Sequence, residues 1–261
     1  MNNLTEIDTS EQQTESRRER VFREREQDLL EIAEQIMLVE GFSGLTMDKL
    51  VAACPYSKGT VYNHFNSKED LLCALCIKGM GITRDLFAKA ESFSGNSREQ
   101  ILAIHFAYRL HALAYPTLFL CVLTSQTPAV KEKAAPERLK QQEQLDKELT
   151  GYCDKLFDLA LQQGDIKADI DVGQMTFSSW ALSFGCNALM TMAGSVQGIQ
   201  RLDQDAALLT SINVLMDGMG WSPLSSEWDY GQSWQRIGAE LFADELSELS
   251  HQVHVQNNID R

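Results

Sequence analysis

The residues best suited to chemistry lie close together, in the run LTMDKLVAACPYSKGTVYNHFNSKEDLL at positions 45–72. Lys58 and Lys68 can form charged contacts with phosphate groups, because Lys and Arg are frequent partners of phosphate oxygens. Tyr62 and His64 can each donate a single hydrogen bond to a phosphate oxygen. These four side chains together are typical of a surface that holds a nucleic-acid backbone.

Three neighbouring residues suit contact with bases rather than with phosphates. Thr60 and Asn63 are short enough to read base edges, since Asn pairs with adenine and the Thr methyl group meets that of thymine. Gly59 lets another molecule approach the backbone closely at a helix N-terminus. Together with Lys58, these residues favour double-stranded DNA as the partner.

Capping residues divide the run into helices that would position these side chains. Thr46, Ser57 and Ser67 are preferred N-caps, which predicts helices that begin at positions 47, 58 and 68. Pro55 ends the first of them, because it biases Cys54 away from helical backbone. Two short helices joined by a tight turn form a helix-turn-helix, whose second helix enters a DNA major groove.

A longer amphipathic helix precedes this motif. Apolar residues recur with i, i+3, i+4 spacing from Leu29, and Gly41, which tolerates left-handed backbone, ends the helix. Charges of both signs alternate over 17–26. Their arginines could follow a DNA groove as a basic arm or pair with the intervening acids. The polar residues 1–16 predict a disordered tail.

The segment SKGTVYNHFNSKEDLL resembles the recognition-helix signature of the TetR family of bacterial transcription factors, and the likeness extends over about residues 25–72. The residues that match together are Thr46, Ser57, Lys58, Gly59, Thr60, Tyr62, His64, Phe65, Ser67, Lys68, Glu69 and Leu71. The resemblance implies that one set touches the DNA backbone: Thr46, Tyr62, His64 and Lys68. It places a second set at or near the bases: Lys58, Gly59, Thr60 and Asn63. Ser57, which caps the recognition helix, is counted with these DNA-binding residues.

The turn before the recognition helix departs from the family pattern. Such proteins usually have Gly and then a small aliphatic residue where this chain has Pro55 and Tyr56. A Gly can take a positive φ, whereas the ring of Pro fixes φ near −65°. The turn is therefore expected to be built differently here.

The rest of the chain reads as helices, at about 67–92, 97–113, 116–125, 134–163, 171–193 and 203–219. No stretch shows sustained β-branched alternation, so the predicted fold is all-α. The predicted domains are a tail (1–16), a three-helix helix-turn-helix domain (17–70), a larger helical effector-binding and dimerisation domain (71–220), and a C-terminal extension with one helix and a frayed end (221–261). The roles of the larger domain are implied by the resemblance.

Aromatic and polar residues of the larger domain are candidates for a ligand pocket between helices. They are Phe106, Arg109, His111, Tyr115, Phe119, Trp180, Phe184 and Asn187. Ordinary core packing would account for the aromatic ones at this spacing, and Arg109 and His111 could equally face solvent.

Two segments are candidates for a dimer interface. Residues 176–193 are rich in Ser, Ala and Gly, which lets helices approach closely, and residues 204–219 are apolar on one face. They look like the helix pair with which such proteins form a four-helix interface, although closing the monomer's own core is the alternative. The aromatic-rich loop of the 221–261 extension is expected to dock on the body.

The charge balance bears on the choice of partner. The chain has 261 residues, a net charge of −14 and a pI of about 4.8, which by itself disfavours nucleic acid. Residues 17–68, however, carry eight basic and eight acidic side chains. The acidity therefore lies outside the predicted DNA-reading region.

Other function classes have less support. No apolar run reaches the ~18 residues of a membrane span and the first twenty residues lack the apolar core of a secretory signal, which predicts a cytoplasmic protein without membrane contact. The six cysteines are expected to be reduced thiols, and no metal or cofactor is expected. No nucleophile elbow, metal-ligand spacing or phosphate-cradling loop points to an enzyme.

The leading interpretation is a homodimeric transcriptional regulator that binds a palindromic operator. We expect a repressor that is released when a small molecule binds the helical domain. The alternative is a helical small-molecule sensor or partner-binding protein with weakened or lost DNA binding, which Pro55–Tyr56 and the acidic surface favour.

Overall fold

The structure, a computed structural model, describes residues 16–167, 169–191 and 197–259. Within these ranges all regular structure is helical, in agreement with the predicted fold class. The helices are α1 (Arg17–Gly44), α2 (Met47–Ala53), α3 (Lys58–His64), α4 (Lys68–Ala90), α5 (Ser97–Ala114), α6 (Pro116–Ser125), α7 (Pro128–Lys133), α8 (Pro136–Gln163), α9 (Val172–Thr191), α10 (Gln197–Gln200), α11 (Gln204–Gly218), α12 (Tyr230–Leu241) and α13 (Ala243–Ile259). The predicted tail lies outside the described residues except for Ser16, whose side chain caps α1.

The chain divides into two compact units, residues 1–65 and 66–261. In the first unit, α1 to α3 bury an apolar core that includes Leu29, Leu50 and Phe65. Gly41 takes a positive φ of 71° inside α1 and interrupts its helical backbone. The predicted break in the first helix is therefore present, although helical turns resume as far as Gly44.

The predicted caps are confirmed. The side chains of Thr46, Ser57 and Ser67 each accept a hydrogen bond from the backbone N–H three residues later, at donor–acceptor distances of 3.1–3.2 Å. Each such bond pairs one of the N–H groups that a helix start leaves unpaired. Cys54 is extended (φ −99°, ψ 157°), so α2 ends before Pro55 as predicted.

In the second unit α4 lies at the centre of the packing, against α5, α6 and α8. Its buried Asp70 accepts hydrogen bonds from the backbone N–H groups of Asn66 (3.1 Å) and Ala135 (2.9 Å) and pairs with Arg138 (3.3 Å). This carboxylate ties the start of α4 to the start of α8. The larger core beyond it draws residues from α4, α5, α8, α9, α11 and α12.

Two helix assignments differ from the prediction. The segment expected as one helix over 134–163 begins instead at Pro136, after a separate α7, because proline suits the first helical position and lacks the N–H that an interior position needs. The C-terminal extension holds two helices rather than one, since Phe242 departs from helical backbone and is fully buried. The chain beyond 251, expected to fray, has helical backbone as far as Ile259.

The extension docks on the second unit through polar contacts as well as apolar ones. Trp221 is fully buried and donates from its indole N–H to Ser97 (2.9 Å). The buried guanidinium of Arg98 donates to Asp217 (2.6 Å) and to the backbone carbonyl oxygens of Trp221 (2.8 Å) and Pro223 (3.1 Å). It also donates to Asn213 and lies over the ring of Tyr230. The tryptophans predicted that this extension would dock. The central role of Arg98 in the contact was not predicted.

Candidate nucleic-acid interface and ligand cavity

Helix α3 has one buried and one exposed face. Val61 and Phe65 are fully buried and hold the helix in the first unit. The exposed residues include most of the predicted DNA contacts: Ser57, Lys58, Gly59, Tyr62 and Asn63, with Thr60 half-buried. The ammonium group of Lys58 lies over the ring of Tyr62 (5.5 Å to its centroid) and 3.5 Å from the Asp48 carboxylate. The exposed face therefore combines a cation, a phenol, an amide and bare backbone.

No neighbour in the protein requires glycine at position 59. A Cβ atom at this position would lie 3.8 Å from Ser57 Oγ, an ordinary van der Waals distance, with nothing nearer. Its φ is not positive, so the backbone conformation does not demand glycine either. The absence of a side chain lets another molecule approach the backbone at the start of α3 closely.

His64 is placed differently from the expectation that it touches DNA. The residue is only 6% exposed, its ring stacks on Phe22 with centroids 3.9 Å apart, and its Nδ1 lies 3.3 Å from the Glu26 carboxylate. Because α3 turns this position toward α1, His64 joins the two helices. We correct its predicted role from phosphate contact to positioning of the recognition helix.

The remaining predicted DNA contacts lie at helix starts. Thr46 is exposed, and its hydroxyl oxygen caps α2 while its hydrogen is still available to a partner. Lys68 is the first residue of α4 and half-buried; it belongs to the second unit.

Tyr56 shows how the unusual turn is held. Its hydroxyl donates to the Asp28 carboxylate of α1, and its ring lies 6.0 Å from the guanidinium carbon of Arg25. The hydrogen bond to Asp28 raises the pKa of Tyr56, because the neutral phenol is the form that donates. A side-chain link to α1 thus fixes a turn in which Pro55 cannot adopt a positive φ.

The arginines at the chain's N-terminal side lie within α1 rather than in an extended arm. Ser16 and Glu19 form a capping box, so the helix begins at Arg17. Arg20 lies 3.7 Å from Glu24, one turn along. The sequence allowed either a basic arm or a helical face on which arginines pair with acids. The structure has the helical face over this stretch.

The second unit has a partly open cavity of about 510 Å³ between α4, α5, α6, α8 and α9. Its walls are mostly apolar and aromatic, with a few polar groups. The lining residues are Cys76, Gly79, Met80, Thr83, Phe87, Ile104, His105, Tyr108, His111, Leu118, Phe119, Val122, Asp146, Leu149, Thr150, Cys153, Asp154, Gly173, Thr176, Phe177, Ser179, Trp180 and Ser183. The size and lining are those of a small-molecule site.

Three of the predicted ligand residues line this cavity: His111, Phe119 and Trp180. Phe184 stacks on Phe119 (5.2 Å between centroids) without lining the cavity itself, and Tyr115 is 39% exposed at the helix end.

The other three predicted residues serve the core. Phe106 packs on Trp234 and Phe242. Arg109 donates to Asn187 (3.2 Å), Asp205 (2.9 Å) and Gln204 (3.0 Å), which joins α5 to α9 and α11. We correct Phe106, Arg109 and Asn187 from pocket to core residues.

The prediction missed Thr83, His105 and Asp154. A signal for the α5 residues of the lining was available, because Ile104, Tyr108 and His111 follow i, i+4, i+7 spacing and share one helix face. Phe106 and Arg109 lie on another face. Which face meets a cavity depends on the packing of α4, α6, α8 and α9, which spacing within one helix does not contain.

Two buried histidines in the cavity wall are neutral at physiological pH. Burial lowers the pKa of both His105 and His111 from 6.5 to about 4, because the charged form loses its hydration. His105 Nε2 lies 3.0 Å from Ser179 Oγ, and His111 Nδ1 lies 2.7 Å from Thr83 Oγ1.

These histidines predict acid lability. Their pKa is lower in the folded chain than in the unfolded chain, so the unfolded chain binds more protons and the free energy of unfolding falls as pH drops from about 6.5 toward 4. From about 1.4 kcal/mol per pKa unit, each histidine should lower that free energy by about 2 kcal/mol between pH 7.5 and pH 5. Urea unfolding at the two pH values measures the loss. A His105→Gln/His111→Gln variant should lose most of the difference; an unchanged difference in that variant would contradict the assignment.

Helices α9 and α11 expose apolar side chains. Phe177 and Leu189 of α9 are 58% and 57% exposed, and Val214 of α11 is 69% exposed. Helices α9 and α11 pack against each other, and contiguous exposed apolar surface is typical of interaction sites. Both helices belong to the segments singled out in the sequence as a dimer interface.

The six cysteines are free, and no group of three or more His, Cys, Asp or Glu side chains in the described ranges is arranged to hold a metal ion. Burial raises the pKa of Cys73 to about 11 and that of Cys153 to about 12, so these thiols are unreactive at neutral pH. In the described part of the chain no single helix is long and apolar enough to cross a membrane, and only the α5–α6 pair, bent by 102°, reaches that length and composition.

The described part of the chain thus combines a helix-turn-helix that has an exposed polar face with an all-helical unit that has a partly open cavity. Residues 29–75 match the family described as bacterial regulatory proteins, tetR family. Residues 29–75 thus carry the sequence pattern of that family, and the fold of the chain is similar to that of a solved tetR-family regulatory protein.

Solved structures with similar folds include three regulators. A tetR-family regulatory protein from Rhodococcus RHA1 is 14% identical, with a TM-score of 0.60 over 76% of this chain and 97% of that one. FadR from Bacillus subtilis, solved with stearoyl-CoA, is 16% identical, with a TM-score of 0.59 over 74% and 98%. AibR, solved with isovaleryl coenzyme A and operator DNA, is 19% identical, with a TM-score of 0.56 over 73% and 97%. No curated protein matches by sequence.

Proposed function

We propose that the protein is a homodimeric transcriptional repressor that binds a palindromic DNA operator and is released by a small molecule. The observation that carries the proposal is the exposed face of α3. Lys58 and Tyr62 on this face suit phosphates, and Asn63 suits a base edge. Val61 and Phe65 hold the helix from behind, so a major groove can receive the face without unpacking the first unit.

The dimer is proposed to form through α9 and α11. One helix-turn-helix makes few DNA contacts, and two-fold repetition doubles them. The exposed Leu189 and Val214 supply apolar surface for a four-helix interface. Half-sites should then be spaced by one helical turn, about 34–36 Å, or a multiple of it.

Release by a ligand is proposed to act through α4. This helix begins three residues after the first unit ends, and its Cys76, Thr83 and Phe87 line the cavity. A ligand that binds more tightly to one position of α4 would favour one separation of the two helix-turn-helix units in the dimer. Control by ligand is then a shift between DNA-competent and DNA-incompetent populations.

Selection of genomic DNA fragments by the full-length protein tests the proposal. We expect enrichment of a palindromic duplex, with affinity that falls steeply as salt rises. Tyr62→Ala should weaken binding about tenfold or more, since a hydrogen bond to a charged phosphate, worth about 1.5–3 kcal/mol, recurs in each half-site. Tyr115→Ala, which truncates an equally exposed tyrosine of the second unit, should leave it unchanged.

Other outcomes decide against the proposal. If no duplex is enriched, or if Tyr62→Ala binds as well as the parent, α3 is not a recognition helix. A melting shift with a ligand and no duplex binding at low salt would support the alternative, a sensor without DNA binding. A reporter gene downstream of the selected operator separates repressor from activator, and we expect lower expression when the protein is present.

A further inference from the structure

The charge of the cavity lining limits its ligand. The lining residues in the described part of the chain include two carboxylates, the exposed Asp146 at the cavity mouth and the half-buried Asp154, and neither Lys nor Arg. Asp154 uses one oxygen to accept from Thr176 (2.5 Å). Neither aspartate forms an ion pair with any residue that the structure describes. An anionic group placed here would meet negative charge without a compensating cation.

His111 adds a hydrogen-bond acceptor that lacks a partner. The Thr83 hydroxyl lies within hydrogen-bond distance of the Gly79 carbonyl oxygen (3.1 Å) and of His111 Nδ1 (2.7 Å). When it donates to Gly79, its oxygen accepts from the protonated Nδ1 of His111. A neutral imidazole that donates from Nδ1 carries its lone pair on Nε2. That Nε2 atom is buried, lies in a residue that lines the cavity, and has no hydrogen-bond partner in the described part of the chain. It awaits a donor.

Two further groups mark the polar side of the cavity. The hydroxyl of Ser183, which is 2% exposed and lines the cavity, also lacks a hydrogen-bond partner among the described residues. The Tyr108 oxygen accepts from the indole N–H of Trp180 (3.2 Å), and burial raises the pKa of Tyr108, so its hydroxyl stays protonated. Most of the remaining wall is aromatic, aliphatic or sulfur-bearing.

We propose, on the basis of the proposed function, that the effector is an apolar ring compound that carries a protonated amine. Its N–H groups would donate to His111 Nε2 and to a carboxylate of Asp154 or Asp146, and its rings would pack against Phe87, Phe119 and Trp180. An ammonium group satisfies the unpartnered acceptor and offsets the negative charge at once. A coenzyme A thioester, as in the FadR and AibR structures, brings phosphates for which this lining has no cation.

Three anthracene probes of matched shape test the proposal: 9-(aminomethyl)anthracene, 9-(hydroxymethyl)anthracene and anthracene-9-carboxylate. Binding is measured at pH 7.5 on the DNA-free full-length protein, by fluorescence titration and by melting shift. We expect the ammonium probe to bind about tenfold or more tightly than the carboxylate, as hydrogen bonds to charged groups allow. The affinity of the alcohol probe, which donates a hydrogen bond but carries no charge, should lie between those of the other two. Stearoyl-CoA should bind more weakly than the ammonium probe.

Variants assign the effect to the cavity. Asp146→Asn/Asp154→Asn should reduce the preference for ammonium over carboxylate to about threefold or less, and His111→Phe should weaken the ammonium and alcohol probes but not the carboxylate. Asp158→Asn, an exposed aspartate of the same helix α8 outside the lining, is the matched control and should change nothing.

Three results would overturn the assignment: no binding of the ammonium probe, equal or tighter binding of the carboxylate or of stearoyl-CoA, or a preference that the aspartate variants leave intact. The experiment contains no DNA. If the protein prefers the ammonium probe but selects no duplex, the proposed repressor function is refuted and the proposed ligand class is supported. If it binds an operator but prefers the carboxylate probe, the ligand class is refuted and the DNA-binding function is supported.

Discussion

Replacement of Arg98 by methionine is expected to destabilise the second unit by about 2–3 kcal/mol, because several acceptors lose a charged donor and a hydrogen bond to a charged group contributes about 1.5–3 kcal/mol. The guanidinium is 1% exposed and bonded to Asp217, Asn213 and two backbone carbonyl groups. Methionine retains the length and apolar stem of the side chain, so the loss reports the polar contacts. Urea unfolding, followed by tryptophan fluorescence, measures it.

Arg84→Met is the matched control. Arg84 also pairs with an aspartate, Asp85 (2.7 Å), but its side chain is 43% exposed on α4. An exposed pair contributes about 0–1 kcal/mol, so the control should unfold nearly as the parent does. Equal effects of the two substitutions, or a loss below about 1 kcal/mol for Arg98→Met, would show that Arg98 does not anchor the extension.

Gly59→Ala is expected to abolish detectable operator binding without harming the fold. The new methyl group has 3.8 Å to its nearest neighbour in the protein, and alanine favours helix by up to about 1 kcal/mol over glycine. In the proposed complex, however, the same methyl group would hold the helix N-terminus away from DNA in both half-sites. Thermal unfolding should show an unchanged or raised Tm, while electrophoretic mobility shift with the selected operator should show the loss.

Gly151→Ala provides the comparison, because Gly151 lies in α8 of the second unit with nothing within 4 Å of an added Cβ atom. It should match Gly59→Ala in stability and the parent in DNA binding. Full operator affinity in Gly59→Ala would mean that DNA does not approach this end of α3, and the docking of the recognition helix would have to be revised.

Much of the fold could be predicted because its signals are local. Ser57 and Thr46 cap helices through bonds to residues three positions away, and Pro55 acts on the residue before it. Such contacts depend little on the rest of the chain. The boundaries of α5 and α6 followed for the same reason.

The parts that could not be predicted depend on distant contacts. His64 has the spacing of a DNA contact, yet Phe22, 42 positions earlier, stacks on its ring. Arg109 looks like a polar pocket residue until its partners on α9 and α11 are known. The cavity follows from the packing of five helices, and periodicity within any one helix leaves its inward neighbours undefined.

The position of the C-terminal extension sets an order of events during synthesis. Phe242 is fully buried in the core of the second unit, but the ribosome reaches it 177 residues after Phe65, the last residue of the first unit. At about 5–20 residues per second, this interval lasts roughly 10–35 s. The helix-turn-helix therefore leaves the ribosome well before the unit with the cavity can close its core. Under the proposed function, a nascent chain would present α3 to DNA before it could respond to a ligand.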